Sequence, residues 1–508
     1  MEKDAMAHET LRLRAAHRAL TRNEGVSAET WQLWDSILEN EPWNIAFTKL
    51  QETEDAAIVQ ACKVGEREAV NFELGPRSRD EVSQKIRERL EPFLDENGQL
   101  PSNTVLIGGP PCQAYSIVGR SRNRGIDDYK AEKDPRHFLY LEYLHVIAEF
   151  RPAVFVMENV KGMLSSRIQE RQIFQTIMRD LKRPDVVAET PDEVEYVLVS
   201  LPEVDALIED PSPEDFIVKA EEYGVPQARH RVIILGVRRD VYDKLDQVKK
   251  LVRSEPPTVW DVISDLPPLR PQLSYRGKGY EWKDSLDFDI FDKAVRSLRK
   301  AGDKTADKVA DKLVDTRLKL KERKTDPGVG ADRVRKKGDR LDRTPRQMAE
   351  WYGDRASELL CNHESRAHMP TDLVRYLFAS AFADVTGSSP RLMDFPKCLL
   401  PQHKNVDPEN VGESIFKDRF RVQVASRYSM TVTSHIAKDG HAFIHPKPMQ
   451  CRSLTVREAA RLQTFPDSYV FLGNRTSQYT QVGNAVPPYL ASQIASIVAD
   501  ILKQAELA

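Results

Sequence analysis

The 508-residue chain carries 75 Lys and Arg against 78 Asp and Glu, a formal charge of -3, so no global cationic signal marks a nucleic-acid binder. Local footprints are averaged away in such a sum, so DNA is not excluded. The cysteines (Cys62, Cys112, Cys361, Cys398 and Cys451) are scattered with no Cys-x-x-Cys pair, which argues against a disulfide framework and fits a reducing cytoplasm. No apolar run is expected to span a bilayer, and the N-terminus lacks a signal-peptide core.

Residues 5–20 read as a helix, and 21–100 as mostly helical and polar, with Trp31, Trp34, Trp43 and Phe47 as core anchors. A short apolar strand, 104–107, runs into Gly-Gly-Pro-Pro-Cys-Gln. A polar stretch with Gly and Arg, 119–136, reads as a mobile loop, and 138–150 has helical periodicity. A second buried strand ends in Glu158-Asn159-Val160, and a third, 231–237, follows Gln227-Ala-Arg229-His-Arg231. Apolar strands alternating with a helix predict a parallel α/β sheet, whose ligands bind beyond the strand carboxyl ends. Cys112 and Glu158 both lie just past such ends.

Composition shifts at 240–450, which is charged and poor in strand alternation. Within it, 293–346 is dense in Lys and Arg, and reads slightly better as a solvated helical surface than as a phosphate-tracking face. Cys361-x-His363 with His368 fits no usual zinc spacing, so no metal is expected. Residues 431–445 read as a hairpin turning at Lys438-Asp439-Gly440. A final amphipathic helix is predicted over 489–505.

Cytosine is a poor nucleophile at carbon 5. A thiolate added at carbon 6 turns the ring into an enamine able to attack a methyl donor. That chemistry needs a reactive cysteine, a carboxyl group at ring N3 and the exocyclic amine, cationic donors near the base, and extrusion of the base from the duplex. Cys112 sits on a proline-stiffened turn, Glu158 follows a strand, and Arg229 and Arg231 would share one side of an extended backbone. Taken singly, each has a plainer reading: a buried inert thiol, a helix-entry acid, a surface ion-pair couple.

Taken in order, these residues resemble the DNA (cytosine-5-)-methyltransferases of bacterial restriction–modification systems. Pro111-Cys112-Gln113, Glu158-Asn159-Val160, Gln227-x-Arg229-x-Arg231, the run from Arg452 to Asp467, and Gln481 to Pro488 match the family's motifs in family order. The resemblance implies an S-adenosylmethionine-dependent, Rossmann-like α/β catalytic domain at 1–239, a separate mixed target-recognition domain at 240–450, and a return to the catalytic domain at 451–508. It implies that Cys112 attacks the base, Glu158 contacts N3 and the amine, and Arg229 and Arg231 hold the base and the site. Gln113, Asn159 and Gln227 are expected on the substrate. The family's opening strand and Phe-x-Gly-x-Gly loop are not found, so the sheet is expected to lack its first strand. Glu2 resembles the acid that takes the cofactor's ribose hydroxyls. Leu139, Asn484 and Val486 stand where the family contacts the cofactor. Double-stranded DNA, a cognate restriction endonuclease encoded nearby and a monomeric, cytoplasmic enzyme off the membrane are the implied setting. Two other readings are an RNA cytosine methyltransferase and an inactive, truncated DNA-binding remnant.

Overall fold

The computed structural model describes residues 1–94, 100–101, 103–110, 139–164, 167–168, 171–191, 193–203, 211–274, 281–287, 289–335, 344–353, 359–401 and 419–507. Cys112, Gln113 and the 119–136 stretch lie outside the described residues.

The first 90 residues are helical: α1 (Ala5–Arg22), α2 (Ala28–Asn40), α3 (Trp43–Gln51), α4 (Ala56–Glu68) and α5 (Arg79–Leu90). Asp4 caps α1 by accepting from the Met6 and Ala7 amides, which satisfies two of the free donors at a helix start. Leu13, Ala16 and Leu20 of α1 share a core with Trp34, Phe47, Ile58 and Cys62. Trp31 and Trp43 pack at its rim rather than inside it.

The central sheet combines β1 (Val105–Gly108), β2 (Val154–Val160), β3 (Tyr196–Val199), β4 (Ile217–Lys219) and β6 (His230–Arg238) in the order β1-β2-β6-β3, with β4 also on β6. The short β5 (Gln227–Ala228) precedes β6. The expected parallel sheet is corrected here: β1 and β2 are parallel, but β6 runs antiparallel to β2, β3 and β4. Between β4 and β6 only residues 220–229 intervene, too short for the crossover that a parallel pair needs. Apolar runs identify buried strands but do not encode their direction.

Both sheet faces are covered. On one, α6 (Leu139–Phe150) and α7 (Ile173–Lys182) bring Leu144, Ile147, Phe174 and Ile177 against Phe155, Met157 and Ile234. On the other, a C-terminal helix (Pro488–Leu507) packs Leu490, Ile494, Ile497 and Ile501 against Val154, Ile233 and Leu235. The stretch Arg475–Leu507 is, by length and composition alone, apolar enough to cross a membrane, contrary to expectation; its apolar face is instead used in this core. The outer edge of β1 differs. Among the described residues no strand pairs with it, and Ile107 is 75% exposed.

Residues 240–450 hold a core of their own. Helices α8 (Asp289–Lys300), α9 (Lys304–Glu322) and α10 (Pro370–Thr386) bury Phe291, Leu313, Tyr376 and Phe378 around Phe420. Their Lys and Arg residues pair locally: Lys319 with Asp315, Arg317 with Asp292, Arg299 with Asp311 and Lys312 with Asp384. A face that neutralises itself is a solvated one, each such pair adding about 0–1 kcal/mol. The span is not detached from the rest. The antiparallel pair β7 (Gly330–Arg335) and β8 (Leu359–Glu364) inserts Leu359 and Cys361 into the N-terminal helical core, and Arg333 stacks 3.7 Å over the Trp43 ring.

No hairpin forms at 431–445. The strand β9 (Ser429–Met430) pairs in parallel with β5, a 3-10 turn occupies Ser434–Ala437, and Ile444 bridges Val422 and Ser453. The segment's turns close locally, but its ends bond to distant chain, Val432 to Gln227 and Ile444 to Arg421, rather than to each other. The chain then continues through α11 (Val456–Leu462), α12 (Arg475–Asn484) and α13, the Pro488–Leu507 helix.

Candidate active site

Glu158 lies near the carboxyl end of β2, the strand between β1 and β6. Arg231, entering β6, pairs by register with Val160 and reaches diagonally to Glu158, Nε to Oε1 at 2.8 Å. Both side chains are mostly buried yet keep some surface, 17% for Arg231 and 20% for Glu158, as groups that must meet a ligand would. Burial lowers the Arg231 pKa from its usual range, while the charge and hydrogen bond of Glu158 act to raise it. A second Arg231 nitrogen donates to the His230 carbonyl at 2.8 Å.

The turn after β1 comes directly over this pair. A Cβ on Gly109 would stand 3.2 Å from Glu158 Oε2, so the turn approaches the carboxylate with no side chain between. Asn159 Nδ2 donates to the Pro110 carbonyl at 3.2 Å, and its Oδ1 accepts from the Val160 amide at 2.8 Å. The segment that leads to Cys112 is therefore held, two residues upstream, by the residue beside Glu158.

The structure does not leave Gln227 and Arg229 open to a base. Gln227 is fully buried; its Nε2 donates to the Leu462 carbonyl at 3.1 Å and to Gln463 Oε1 at 3.0 Å, and its Oε1 accepts from the Val432 amide at 2.7 Å. Arg229 is 2% exposed and donates to the carbonyls of Val432 at 3.0 Å and Gly483 at 3.2 Å. Its Nε is buried with no partner among the described residues, and burial, then the charge of Arg231, push its pKa down to about 9. Alternation does separate the side chains: His230 turns away and meets Glu221 at 2.6 Å. Depth divides the two arginines. Arg231 reaches the carboxylate, whereas Arg229 joins β6 to the 429–432 segment and to α12.

Residues of the Arg452–Asp467 run, matched as a motif but given no role from the sequence, brace this junction. Arg452, fully buried, makes two 2.7 Å hydrogen bonds to the two oxygens of Glu458. Arg461 does the same with Asp467 at 2.9 and 2.7 Å. The available signal was Thr455-x-x-Glu458, a capping box that the structure confirms at the start of α11. The Cys361, His363 and His368 group does not converge. Cys361 joins the N-terminal core, His363 lies 2.9 Å from the Pro267 carbonyl, and His368 lies 3.1 Å from Ser453 Oγ.

The cofactor candidates are spread over several elements. Glu2 bridges Asn71 through its backbone, and its Oε1 accepts from the Asp4 amide at 2.8 Å, which fixes the carboxylate's direction. Asn484 is exposed at the end of α12, next to the Gly483 carbonyl that Arg229 holds; Leu139 and Val486 are half-buried. An oriented acid and an exposed amide suit a ribose and a polar cofactor edge. These residues stand on separate elements, and of the four only Glu2 and Asn484 offer polar side chains to S-adenosylmethionine.

Residues 80–185 and 213–499 match the family described as C-5 cytosine-specific DNA methylase. Type II methyltransferase M.Bpa9945I of Bacillus paralicheniformis is 33% identical over 86% of this chain and 80% of its own length. Type II methyltransferase M.DdeI of Desulfomicrobium norvegicum is 27% identical over 77% of this chain and 71% of its own. DNA (cytosine-5-)-methyltransferase M.ApeKI of Aeropyrum pernix is 26% identical over 78% of this chain and 81% of its own. With the Glu158–Arg231 pair under the turn that leads to Cys112, and a family match across most of its length, this chain belongs to the C-5 cytosine-specific DNA methylases.

Proposed function

We propose that this chain methylates carbon 5 of cytosine in a specific sequence of double-stranded DNA, as the modifying partner of a restriction endonuclease, acting as a monomer in the cytoplasm. The observation that carries the reading is the Glu158–Arg231 pair beneath the Gly109-Pro110 turn. Bound S-adenosylmethionine would supply an electrophilic methyl group.

The chain's own residues do the rest. The target base is extruded from the duplex, because its ring atoms are otherwise unreachable. The Cys112 thiolate forms a bond to carbon 6, and the displaced ring electron pair makes carbon 5 nucleophilic. The Glu158 carboxyl group contacts N3 and the exocyclic amine and offsets the charge that builds up on the ring during that addition. Arg231 orients Glu158 and places positive charge beside the base. After carbon 5 is alkylated its proton passes to water, and the electron pair of that bond restores the ring double bond as the sulfur leaves carbon 6 as thiolate. Gln227, Arg229 and Asn159 act as positioning residues, since their polar groups are engaged within the protein.

Incubation with labelled donor at millimolar concentration and duplex DNA containing 5-fluorocytosine tests this, because fluorine blocks the final proton loss. A denaturation-resistant protein–DNA adduct is expected, lost in Cys112→Ser. An adduct on matching RNA alone would instead make RNA the substrate. DNA binding without any adduct would identify an inactive DNA-binding protein.

A further inference from the structure

A cleft of about 1050 Å³ opens between the start of β6 and residues 422–430, beside the strand that carries Arg231. Its His230 wall belongs to the strand that carries Arg231. The facing wall is the turn 424–427, closed by the Arg427 amide on the Val424 carbonyl at 3.2 Å.

The backbone of this turn is fastened on several sides. The Ala425 carbonyl accepts from the Trp260 amide at 3.0 Å and the Arg427 carbonyl from the Val259 amide at 2.7 Å. Immediately after it, Ser429 and Met430 pair with Gln227 and Ala228, and Ser429 donates through both its amide and its Oγ to the Pro226 carbonyl. Main-chain atoms of the turn are thus fixed to residues 259–260, and those of Ser429 and Met430 to the segment that carries Gln227, Arg229 and Arg231.

The side chains show the opposite pattern. Arg427 is exposed, and Tyr428 keeps 46% of its surface. Neither side chain makes a hydrogen bond or ion pair among the described residues. The other cations of the cleft are spoken for: Lys219 and Arg253 both pair with Glu222, at 2.9 and 3.2 Å, and His230 with Glu221. A rigid turn that presents one unengaged guanidinium and one exposed phenol has no folding use for either. Arg427 offers a planar fork of donors suited to a phosphate, at a fixed offset from Glu158.

Resting on the DNA-methyltransferase reading, we propose that Arg427 binds a backbone phosphate of the duplex and, with Tyr428 against the adjoining sugar, sets the distance from the duplex to the Glu158–Arg231 site. Arg427 and Tyr428 are then positioning residues for the DNA, not readers of its sequence.

The test measures equilibrium binding of the full chain and of Arg427→Ala, Arg427→Lys and Tyr428→Ala to mixed-sequence duplexes over a range of salt. Arg427→Ala should weaken binding about 3- to 10-fold, equally for all sequences, and flatten the plot of log affinity against log salt by about one unit. Arg427→Lys should restore the salt slope and most of the affinity. Thermal unfolding should be unchanged, because neither side chain is used in the fold. Tyr428→Ala should weaken binding without altering the slope. Equal affinity and slope in Arg427→Ala would overturn the proposal, and a loss confined to particular sequences would overturn the phosphate assignment in favour of base reading. A wild-type chain that binds no duplex at all would overturn the functional reading as well, so the two failures are distinguishable.

Discussion

Arg231 Nε donates to Glu158 Oε1 at 2.8 Å along a diagonal of the antiparallel β2–β6 ladder, in which Arg231 pairs with Val160 and Glu158 with Ile233. Diagonal neighbours lie within reach only of long side chains, so the contact depends on both lengths. Arg231→Ala should therefore slow methyl transfer about 100- to 1,000-fold, the usual cost of losing one preorganised donor in such a site. Arg231→Lys should fall in between, keeping the charge but losing the fork geometry. Single-turnover methylation alongside thermal unfolding checks this; full turnover in the alanine variant would show that Glu158 needs no orienting cation.

Asn159 makes a different prediction from its neighbour. Its side chain ties Pro110 to β2 through the 3.2 Å hydrogen bond, at a cost of about 1 kcal/mol if removed. The larger effect should be kinetic, because a small misplacement of a reacting group can cost up to about 100-fold. Asn159→Ala should lower kcat about 10- to 100-fold and leave KM for DNA within about twofold. A change in KM alone would mean that Asn159 touches the base.

These two residues show what was legible in the sequence. The ends of β1 and β2, and with them Gly109 and Glu158, follow from apolar runs and the turn residues after them. Which of Arg229 and Arg231 meets Glu158 did not follow. Alternation assigns a side of a strand but not a depth, and Arg229 is covered by Val432 and Gly483, more than two hundred residues along the chain. The strand direction of β6 and the absence of a 431–445 hairpin escaped for the same reason: both are decided by long-range partners. Cys112 stands out in the sequence through its Gly-Gly-Pro-Pro context alone.

Gly483 is required by a close approach. An added Cβ would lie 2.2 Å from the Ser434 amide nitrogen and 2.3 Å from the Thr433 carbonyl carbon, both backbone atoms that cannot swing aside. Gly483→Ala should destabilise the chain by about 1–3 kcal/mol, outweighing the helix preference of alanine, which is worth at most about 1 kcal/mol. It should also loosen the Gly483 carbonyl from Arg229 and shift the exposed Asn484. Urea unfolding measures the first effect. An equal or higher midpoint would show that the helix and the 433–434 turn separate freely.

The bracing network beneath α11 sets a limit on acid stability. Burial pushes the pKa of His363 down to about 4, and those of His368 and His445 to about 3, from an ordinary 6.5. Next to His445, burial alone would raise the Glu458 pKa, but the charge and hydrogen bonds of Arg452 hold it below the carboxylate range. The sign follows from proton counting. Above pH 6.5 these histidines are neutral in the folded and unfolded chain alike, and stability is complete. Below it the unfolded chain takes up protons that the folded one refuses until about pH 4 or 3, so stability falls as the pH drops through that window. Each histidine contributes at most about 1.4 kcal/mol per pH unit. Urea unfolding at pH 7.5 and 5.5 should differ by on the order of 3–4 kcal/mol if all three act fully. His445→Gln, which keeps a side-chain hydrogen-bonding group in place without a titrating one, should reduce that difference by about a third. His368→Gln should do the same and separates a general effect of repacking from one of titration. Equal stability at the two pH values would mean that the three histidines are reached by protons in the folded chain, and that the network around Arg452 and Glu458 opens to water.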